Sequence, residues 1–379
     1  MQQMSELIPS ATRRHRWRIV HSEWSLGWGG QEHRVLAELT GFRERGSEGW
    51  LLAPPEAKVY ERTAAIGIPT RPLDVNRLHF ALEVLKTARW LRKIRPDVLN
   101  THSSRDGWVV GMAGRLARVP LLVRTRHIEV AYPNRRVSRH AFVTLADHVF
   151  TTSEKMAIHL RQSLDLPEER VTPMPTGIDL KRFAPDGPKV ELPSGKAPPS
   201  LPAVGMVSVL RSWKGHSTFL QAARLLLDSK FAARFVIVGE GPIRPQIEAQ
   251  IAELRLADCV GLPGHREEVP EVLRGLAVLV IASTKHEGVP QIGLQALATK
   301  TPVIGTDVGG IPEIIRPGET GRIIPAGNAP ALAAAIRETL EARVVTAALC
   351  ERGRALVEAR HGLDAMLDRI EAVYARHLG

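Results

Sequence analysis

Only two cysteines, Cys259 and Cys350, occur in 379 residues, and their separation forms no metal-ligand spacing. A disulfide scaffold and a cysteine-ligated zinc module are therefore not expected; two reduced thiols fit a cytoplasmic protein. Aromatic residues are also scarce. With three Tyr and eight Phe, the chain has few platforms on which nucleic-acid bases could stack. Zinc-finger spacing, a basic zipper and an RNA-binding aromatic signature are all missing, so no nucleic-acid partner is expected. Long apolar runs are missing too. The longest, Leu276-Ala-Val-Leu-Val-Ile-Ala282, has the length of a strand, well short of the roughly 20 residues that a membrane-spanning helix needs. The basic start, with Arg13, Arg14, Arg16 and Arg18, leads only into Ile19-Val20 and lacks the apolar centre of a secretory signal.

What is present is an ordinary globular composition, 44% hydrophobic and 24% charged, on a chain long enough for two domains. The charge is unevenly placed. Of the net +11, residues 1–190 hold 30 Lys and Arg against 20 Asp and Glu, while residues 191–379 hold 21 against 20. A basic half beside a nearly neutral one implies different partners for the two. An anionic membrane surface or an anionic acceptor suits the basic half, through Lys86, Arg89 and Lys93 on a helix and Arg135, Arg136 and Arg139 further on.

Short apolar strands alternate with helical patterns throughout. Residues 18–21, 49–53, 97–100, 121–124 and 148–151 read as strands, and residues 31–45 and 106–118 as helices between them. Leu78, Leu82, Leu85, Leu91 and Ile94 recur at helical spacing and are expected to face the core, with Pro96 closing that helix. Residues 186–202, DGPKVELPSGKAPPSLP, suit neither a long helix nor a central strand and form the linker. Beyond it the alternation restarts, with strands at 203–209, 233–239, 259–262, 277–282, 302–305 and 321–324. Helices are expected at 217–229, 245–254, 269–273, 291–299, 311–316, 329–353 and 362–377. The pattern implies an α/β protein of two doubly wound, Rossmann-like domains with parallel sheets and a ligand cleft between them. Their expected extents are 1–185 and 203–360, with a final helix over 361–379 packing back toward the first domain.

The passage Lys285-His-Glu-Gly-Val-Pro-Gln-Ile-Gly-Leu-Gln295 joins a buried strand to a helix. A helix starting near Pro290 presents unpaired N–H groups that suit a phosphate, and Gly288 lets backbone approach a ligand closely. Glu287 stands where a carboxylate can accept sugar hydroxyls. Alone, such a turn binds any anion or none.

This segment resembles the Glu-x7-Glu signature of the retaining glycosyltransferases of family 4. Thr301-Pro-Val-Ile-Gly-Thr-Asp-Val-Gly-Gly-Ile-Pro-Glu313 and Gly318-Glu-Thr-Gly321 match that family's next stretches, in order. The resemblance spans most of the chain. It implies a GT-B fold, a nucleotide-sugar donor, a glycan or lipid-linked acceptor, retention of configuration, and no metal or other cofactor. The sequence contains no Asp-x-Asp, the pair that metal-dependent sugar transferases use to hold a cation. The family's bacterial members often build lipopolysaccharide, capsule or exopolysaccharide; this chain is expected in the cytoplasm, peripheral at the inner face of the plasma membrane.

Carried over residue by residue, the resemblance assigns the diphosphate to Arg211 and Lys214 in Val209-Leu-Arg-Ser-Trp-Lys-Gly-His216. It makes Glu287, His127, Arg211 and Lys214 the catalytic set. Donor contacts fall on Gly29 and Gly30 of the loop Trp28-Gly-Gly-Gln31, on Gly239, on Arg266 beside the base, and on Gly288, Val289, Pro290, Gln291 and Gln295. Gln31 and His102 are expected on the acceptor side. One position departs from the family: Gln295 stands where a second Glu usually holds both ribose hydroxyls, and an amide offers one acceptor oxygen in place of a carboxylate's two.

Two other readings compete. A nucleotide-sugar epimerase on the same fold needs acid and base groups across the donor sugar, which the signature does not supply. A non-catalytic nucleotide-sugar binding module is favoured by Gln295 alone. A dehydrogenase is poorer, because Trp24-Ser-Leu-Gly-Trp-Gly-Gly30 lacks the full Gly-x-Gly-x-x-Gly pattern.

Overall fold

The computed structural model describes residues 15–74, 76–128 and 134–379; Arg13 and Arg14 lie outside them. Strands β1 (Arg18–Ser22), β2 (Glu48–Ala53), β3 (Thr70–Pro72), β4 (Val98–Thr101), β5 (Leu121–Arg126), β6 (His148–Thr151) and β7 (Val171–Pro173) form the first sheet. A second contains β8 (Ala203–Val207), β9 (Arg234–Val238), β10 (Val260–Gly264), β11 (Val278–Ile281), β12 (Val303–Thr306) and β13 (Arg322–Ile324). The orders are β3-β2-β1-β4-β5-β6-β7 and β10-β9-β8-β11-β12-β13. All pairings are parallel. Helices cover both faces, so central strands such as β11 are buried along their whole length and read as unbroken apolar runs. In each sheet the winding reverses, between β1 and β4 and between β8 and β11. The crevice at the carboxyl ends of those strands is where doubly wound sheets bind ligands.

Some elements escape the sequence pattern. β3 and β7 are three-residue edge strands ending in Pro72 and Pro173, too short for a periodic signal and tolerant of proline because an edge needs fewer ladder bonds. The helices Lys58–Ala65, Arg135–Arg139 and Glu154–Leu164 are likewise additions. The single helix expected over 329–353 is two, Ala329–Glu341 and Arg343–Arg360, broken at Ala342. Residues 186–202 are irregular yet well anchored. Leu192 is buried, and its carbonyl, with that of Leu201, accepts from Arg234.

The leucine face of helix Phe80–Ile94 is a correction. Leu78, Leu82 and Leu85 are 89%, 53% and 49% exposed, and the buried apolar positions are Val84, Ala88 and Leu91. These also follow helical spacing, at i, i+4 and i+7, so the sequence carries two apolar stripes. A polar anchor selects between them. Arg71 Nη1 donates to Glu83 Oε1 at 3.1 Å and Thr87 Oγ1 at 2.9 Å, fixing the rotation that turns 84, 88 and 91 inward.

The last helix, Leu363–Leu378, packs on the first sheet. Met366, Leu367, Ile370, Val373 and Tyr374 join Trp17, Ile19, Phe42, Val98 and Phe150 in one core. Arg45 holds the helix from outside through Asp364, Asp368 and Glu371. Ile370→Ala is expected to destabilise the first domain by about 2–5 kcal/mol in urea unfolding, as large-to-small changes in closed cores do. Val344→Ala, at a site 86% exposed, is expected within about 0.5 kcal/mol of wild type. Equal stability of both variants would mean that the last helix adds little.

Candidate functional site

On the second domain, the chain leaves β8 through Arg211 into the tight turn Ser212–Lys214. Gly215 ends it with φ +78, and a β-carbon there would lie 1.9 Å from the Ala282 carbonyl oxygen. Only glycine fits, and its fit presses Lys214 against the end of β11. Lys214 Nζ donates to Glu287 Oε1, and Ser283 Oγ donates to the same oxygen at 2.7 Å. Glu287 is buried, a position a carboxylate holds only when paired and hydrogen-bonded. Arg211 is exposed and stands over the Trp213 ring, with no carboxylate partner among the described residues.

Pro290 caps helix Gln291–Ala298, which starts four residues after Glu287 and whose first N–H groups have no partner within the helix. Gln291 and Gln295 lie one turn apart on its half-buried side. Gly239 closes β9 by donating its N–H to Gly264 at 2.9 Å, a role in sheet geometry. Arg266, on the loop after β10, is paired with Glu268.

The first domain brings its glycine loop opposite. Gly29 faces Val209, and a β-carbon on Gly30 would lie 3.3 Å from Gln291 Oε1. Glu32 Oε2 accepts the Gly29 N–H at 2.8 Å and fixes the start of helix Gly30–Glu44. Gln31 turns inward, donating to Glu23 and to Ser103 Oγ. His102 is buried at the end of β4, between His21 and His127.

His127 follows β5 at the seam between the domains. Its carbonyl accepts from Thr152 Oγ1 at 3.0 Å, and a β-carbon on Gly288 would lie 2.0 Å from that oxygen and 3.3 Å from the same carbonyl. Val289 N donates to Thr152 O at 3.1 Å. The structure thus gathers Gly29, Gly30, His127, Arg211, Lys214, Glu287, Gly288, Val289, Pro290 and Gln291 around one cleft. Gln295 sits one turn deeper, and Arg266 and Gly239 lie on the strand ends beside it.

Three contributors were given no role by the motifs. Glu23, at the end of β1, accepts from Trp24 N, Ser25 N and Ser103 Oγ at 2.8–2.9 Å and organises the glycine loop. Burial, with Asp106 nearby, pushes its carboxyl up to about 8. Glu313 reaches across the cleft to accept the N–H groups of Glu154 and Lys155 at 3.0 and 3.1 Å, capping a helix of the other domain. His21 completes a row of three imidazoles. Burial is the main reason that His21 is pulled down to about 4, and that His102 and His127 fall well below the usual histidine value. Among the described residues, His21, Glu38 and His102 form the one cluster with metal-compatible spacing.

The family model described as Glycosyltransferase Family 4 matches residues 28–182, and that described as Glycosyl transferases group 1 matches residues 201–342. The alpha-D-kanosaminyltransferase of Streptomyces kanamyceticus is 27% identical over 79% of this chain and 82% of its own. The lipopolysaccharide core biosynthesis mannosyltransferase LpsB of Rhizobium meliloti is 30% identical over 60% of this chain and 65% of its own. Among solved structures, Anabaena HepE in complex with UDP and glucose superposes with a TM-score of 0.82 at 18% identity, covering 95% of this chain and 100% of that one.

The buried histidines give a pH prediction. His33, His216 and His361 are also lowered to about 4 and His148 to about 3, chiefly by burial. The unfolded chain, with histidines near 6.5, binds protons that the folded chain refuses. Stability from these groups is complete above pH 6.5 and is lost as pH falls toward 4. Glu23 works oppositely, favouring the fold less as pH rises from about 4.5 to 8, but the histidines outnumber it. The melting temperature is expected to fall steadily between pH 6.5 and 4.5. A flat profile over that range would show that the histidines are solvated.

Proposed function

The chain belongs to the family 4 glycosyltransferases, and on that premise we propose that it moves a sugar from a nucleotide-diphosphate sugar to a glycan or lipid-linked acceptor, retaining configuration and needing no metal. The observation that carries this reading is the meeting at Gly288 of the Lys214–Glu287 pair with His127 from the other domain. Arg211, Lys214 and the first N–H groups of helix Gln291–Ala298 receive the diphosphate. As the leaving group departs, negative charge grows on its oxygens, and cations already in place stabilise it without reorganising. Lys214 is held ready by Glu287; when it turns to phosphate, the carboxylate is left to accept donor-sugar hydroxyls. Gln295, with Gln291, takes the ribose, Arg266 lies toward the base, and His127 faces the sugar. Relatives named for lipopolysaccharide core and colanic acid synthesis support an acceptor in cell-surface polysaccharide or lipopolysaccharide assembly.

Arg211→Ala and Lys214→Ala are each expected to lower turnover by about 100-fold, the value of one electrostatic contact in the transition state. They should differ in stability. Arg211 is exposed and its loss is close to neutral, whereas Lys214→Ala leaves a buried carboxylate unpaired and costs about 1–3 kcal/mol. Turnover is expected to persist in excess EDTA, and proton NMR of the product to show the donor's anomeric configuration. Both variants within threefold of wild type, or activity abolished by chelation and restored by Mg²⁺, would remove this mechanism.

The acceptor's setting is the inner face of an anionic membrane. Among the described residues no helix is long and apolar enough to cross a bilayer. Instead, Leu82 and Leu85 stand exposed on the same helix as the exposed Lys86, Arg89 and Lys93, with Leu78 exposed in the turn just before it. Each such cation near an anionic leaflet contributes about 1 kcal/mol, and exposed leucines add apolar burial at the lipid boundary. The protein is expected to co-sediment with phosphatidylglycerol vesicles and not with neutral ones, and to be released by salt. Glu at positions 86, 89 and 93, or Ser at 78 and 82, should each weaken the binding and leave donor hydrolysis intact. Equal sedimentation with both vesicle types would reduce this surface to a solvated basic face.

A further inference from the structure

Behind the cleft, a continuous hydrogen-bonded row runs from His127 through His102 to His21, and the transfer step above uses only the first of them. His127 Nε2 lies 2.9 Å from His102 Nδ1, and His102 Nε2 lies 2.8 Å from His21 Nδ1. At the inner end His21 Nε2 faces Glu38 Oε2 at 3.9 Å. Glu38 uses its other oxygen, Oε1, to accept from Arg34 Nε at 2.6 Å. His21, Arg34 and Glu38 have no exposed surface.

A neutral imidazole carries one N–H and one lone pair, so each junction in the row fixes the next. Only two orders are possible. Either every ring is protonated on Nε2 and donates inward, or every ring is protonated on Nδ1 and donates outward. The second order would set the bare Nε2 of His21 against the Glu38 carboxylate, two lone pairs facing each other in a buried site where repulsion is poorly screened. The first order points the His21 N–H at the carboxylate. An added charge is disfavoured as well: burial opposes protonation of all three rings and the Arg34 guanidinium adds to this, while Glu38 works the other way at His21 without overcoming burial. The same guanidinium opposes a metal ion among His21, Glu38 and His102.

We propose that Glu38 sets the proton order of this row, so that His127 keeps its proton on Nε2 and offers a bare Nδ1 acceptor to the cleft. His21, His102 and Glu38 are then positioning residues, acting three groups away on the one imidazole that meets the donor. The catalytic consequence rests on His127 facing the donor sugar; the proton order itself does not. A sugar hydroxyl that meets a bare nitrogen must donate to it, which fixes the direction of that hydroxyl and of its neighbours.

The full chain labelled with ¹⁵N-histidine, assigned by single His→Gln variants, reads the tautomers directly through two-bond proton–nitrogen correlations. All three rings are expected to be neutral and protonated on Nε2. In Glu38→Gln the amide oxygen can stay on Arg34 and the NH₂ then meets His21 Nε2, so all three rings are expected to switch to Nδ1. With that switch kcat should fall about tenfold while donor KM stays within about threefold, the pattern of a contact made mainly in the transition state. An Nδ1 proton on His127 in the wild type, a cationic ring, a stoichiometric metal by mass spectrometry, or a Glu38→Gln protein still protonated on Nε2 would each overturn the proposal. Should Glu38→Gln fail to fold, the wild-type spectrum decides alone. His127→Ala with unchanged turnover would instead refute the placement of His127 on the sugar and leave the proton order standing.

Discussion

The two sheets meet through backbone that leaves no space for a β-carbon. At Gly288 the chain of the second domain lies against Thr152 and the His127 carbonyl of the first, and the adjacent Val289 N–H is bonded to Thr152 O. Glu313 adds a cap across the same seam. Everything in the cleft takes its position from this contact. Glu287 precedes Gly288 by one residue, Pro290 and its helix follow, and His127 is on the opposing wall. A side chain at 288 would push the walls apart and separate the groups by more than a hydrogen bond tolerates, which is why packing here is inseparable from chemistry.

Charge in the cleft is arranged by unequal burial. Glu287 is buried and would be costly alone, so Lys214 and Ser283 occupy its Oε1. Arg211 stays in solvent above Trp213, where a cation needs no partner. One cation is therefore fixed and the other adaptable, a combination suited to a diphosphate that must first enter and then leave. Behind the opposite wall the charges are removed instead of paired: burial holds three histidines neutral, and one carboxylate, held by Arg34, gives them a direction.

The same helix shows how polar anchoring settles what hydrophobic periodicity leaves open. Two apolar stripes run along Phe80–Ile94, and either one could have faced the core. Arg71, reaching Glu83 and Thr87, turns Val84, Ala88 and Leu91 inward. Leu78, Leu82 and Leu85 are left beside a row of cations, which converts an expected core face into an outward one.

Much of the fold was legible because parallel sheets bury their central strands on both faces. Runs such as Val278–Ile281, punctuated by helical repeats, point to parallel sheets with right-handed crossovers, whereas the order of the strands within each sheet was given by the structure. The residues on the second domain's wall of the cleft were legible as well, since Arg211, Lys214, Glu287 and Gln291 belong to short local motifs. What depended on residues far apart in the chain was not. His21, His102 and His127 come from three strands, Glu38 from a helix, and Glu313 meets Glu154 across the seam; no spacing relates them. The inward turns of Gln31 and His102 and the choice between two leucine stripes belong to the same class. Sequence periodicity specifies which elements form, because each is governed by neighbours three or four residues away. Which face an element buries, and which nitrogen of an imidazole holds the proton, is decided by partners that only tertiary packing brings within hydrogen-bond reach.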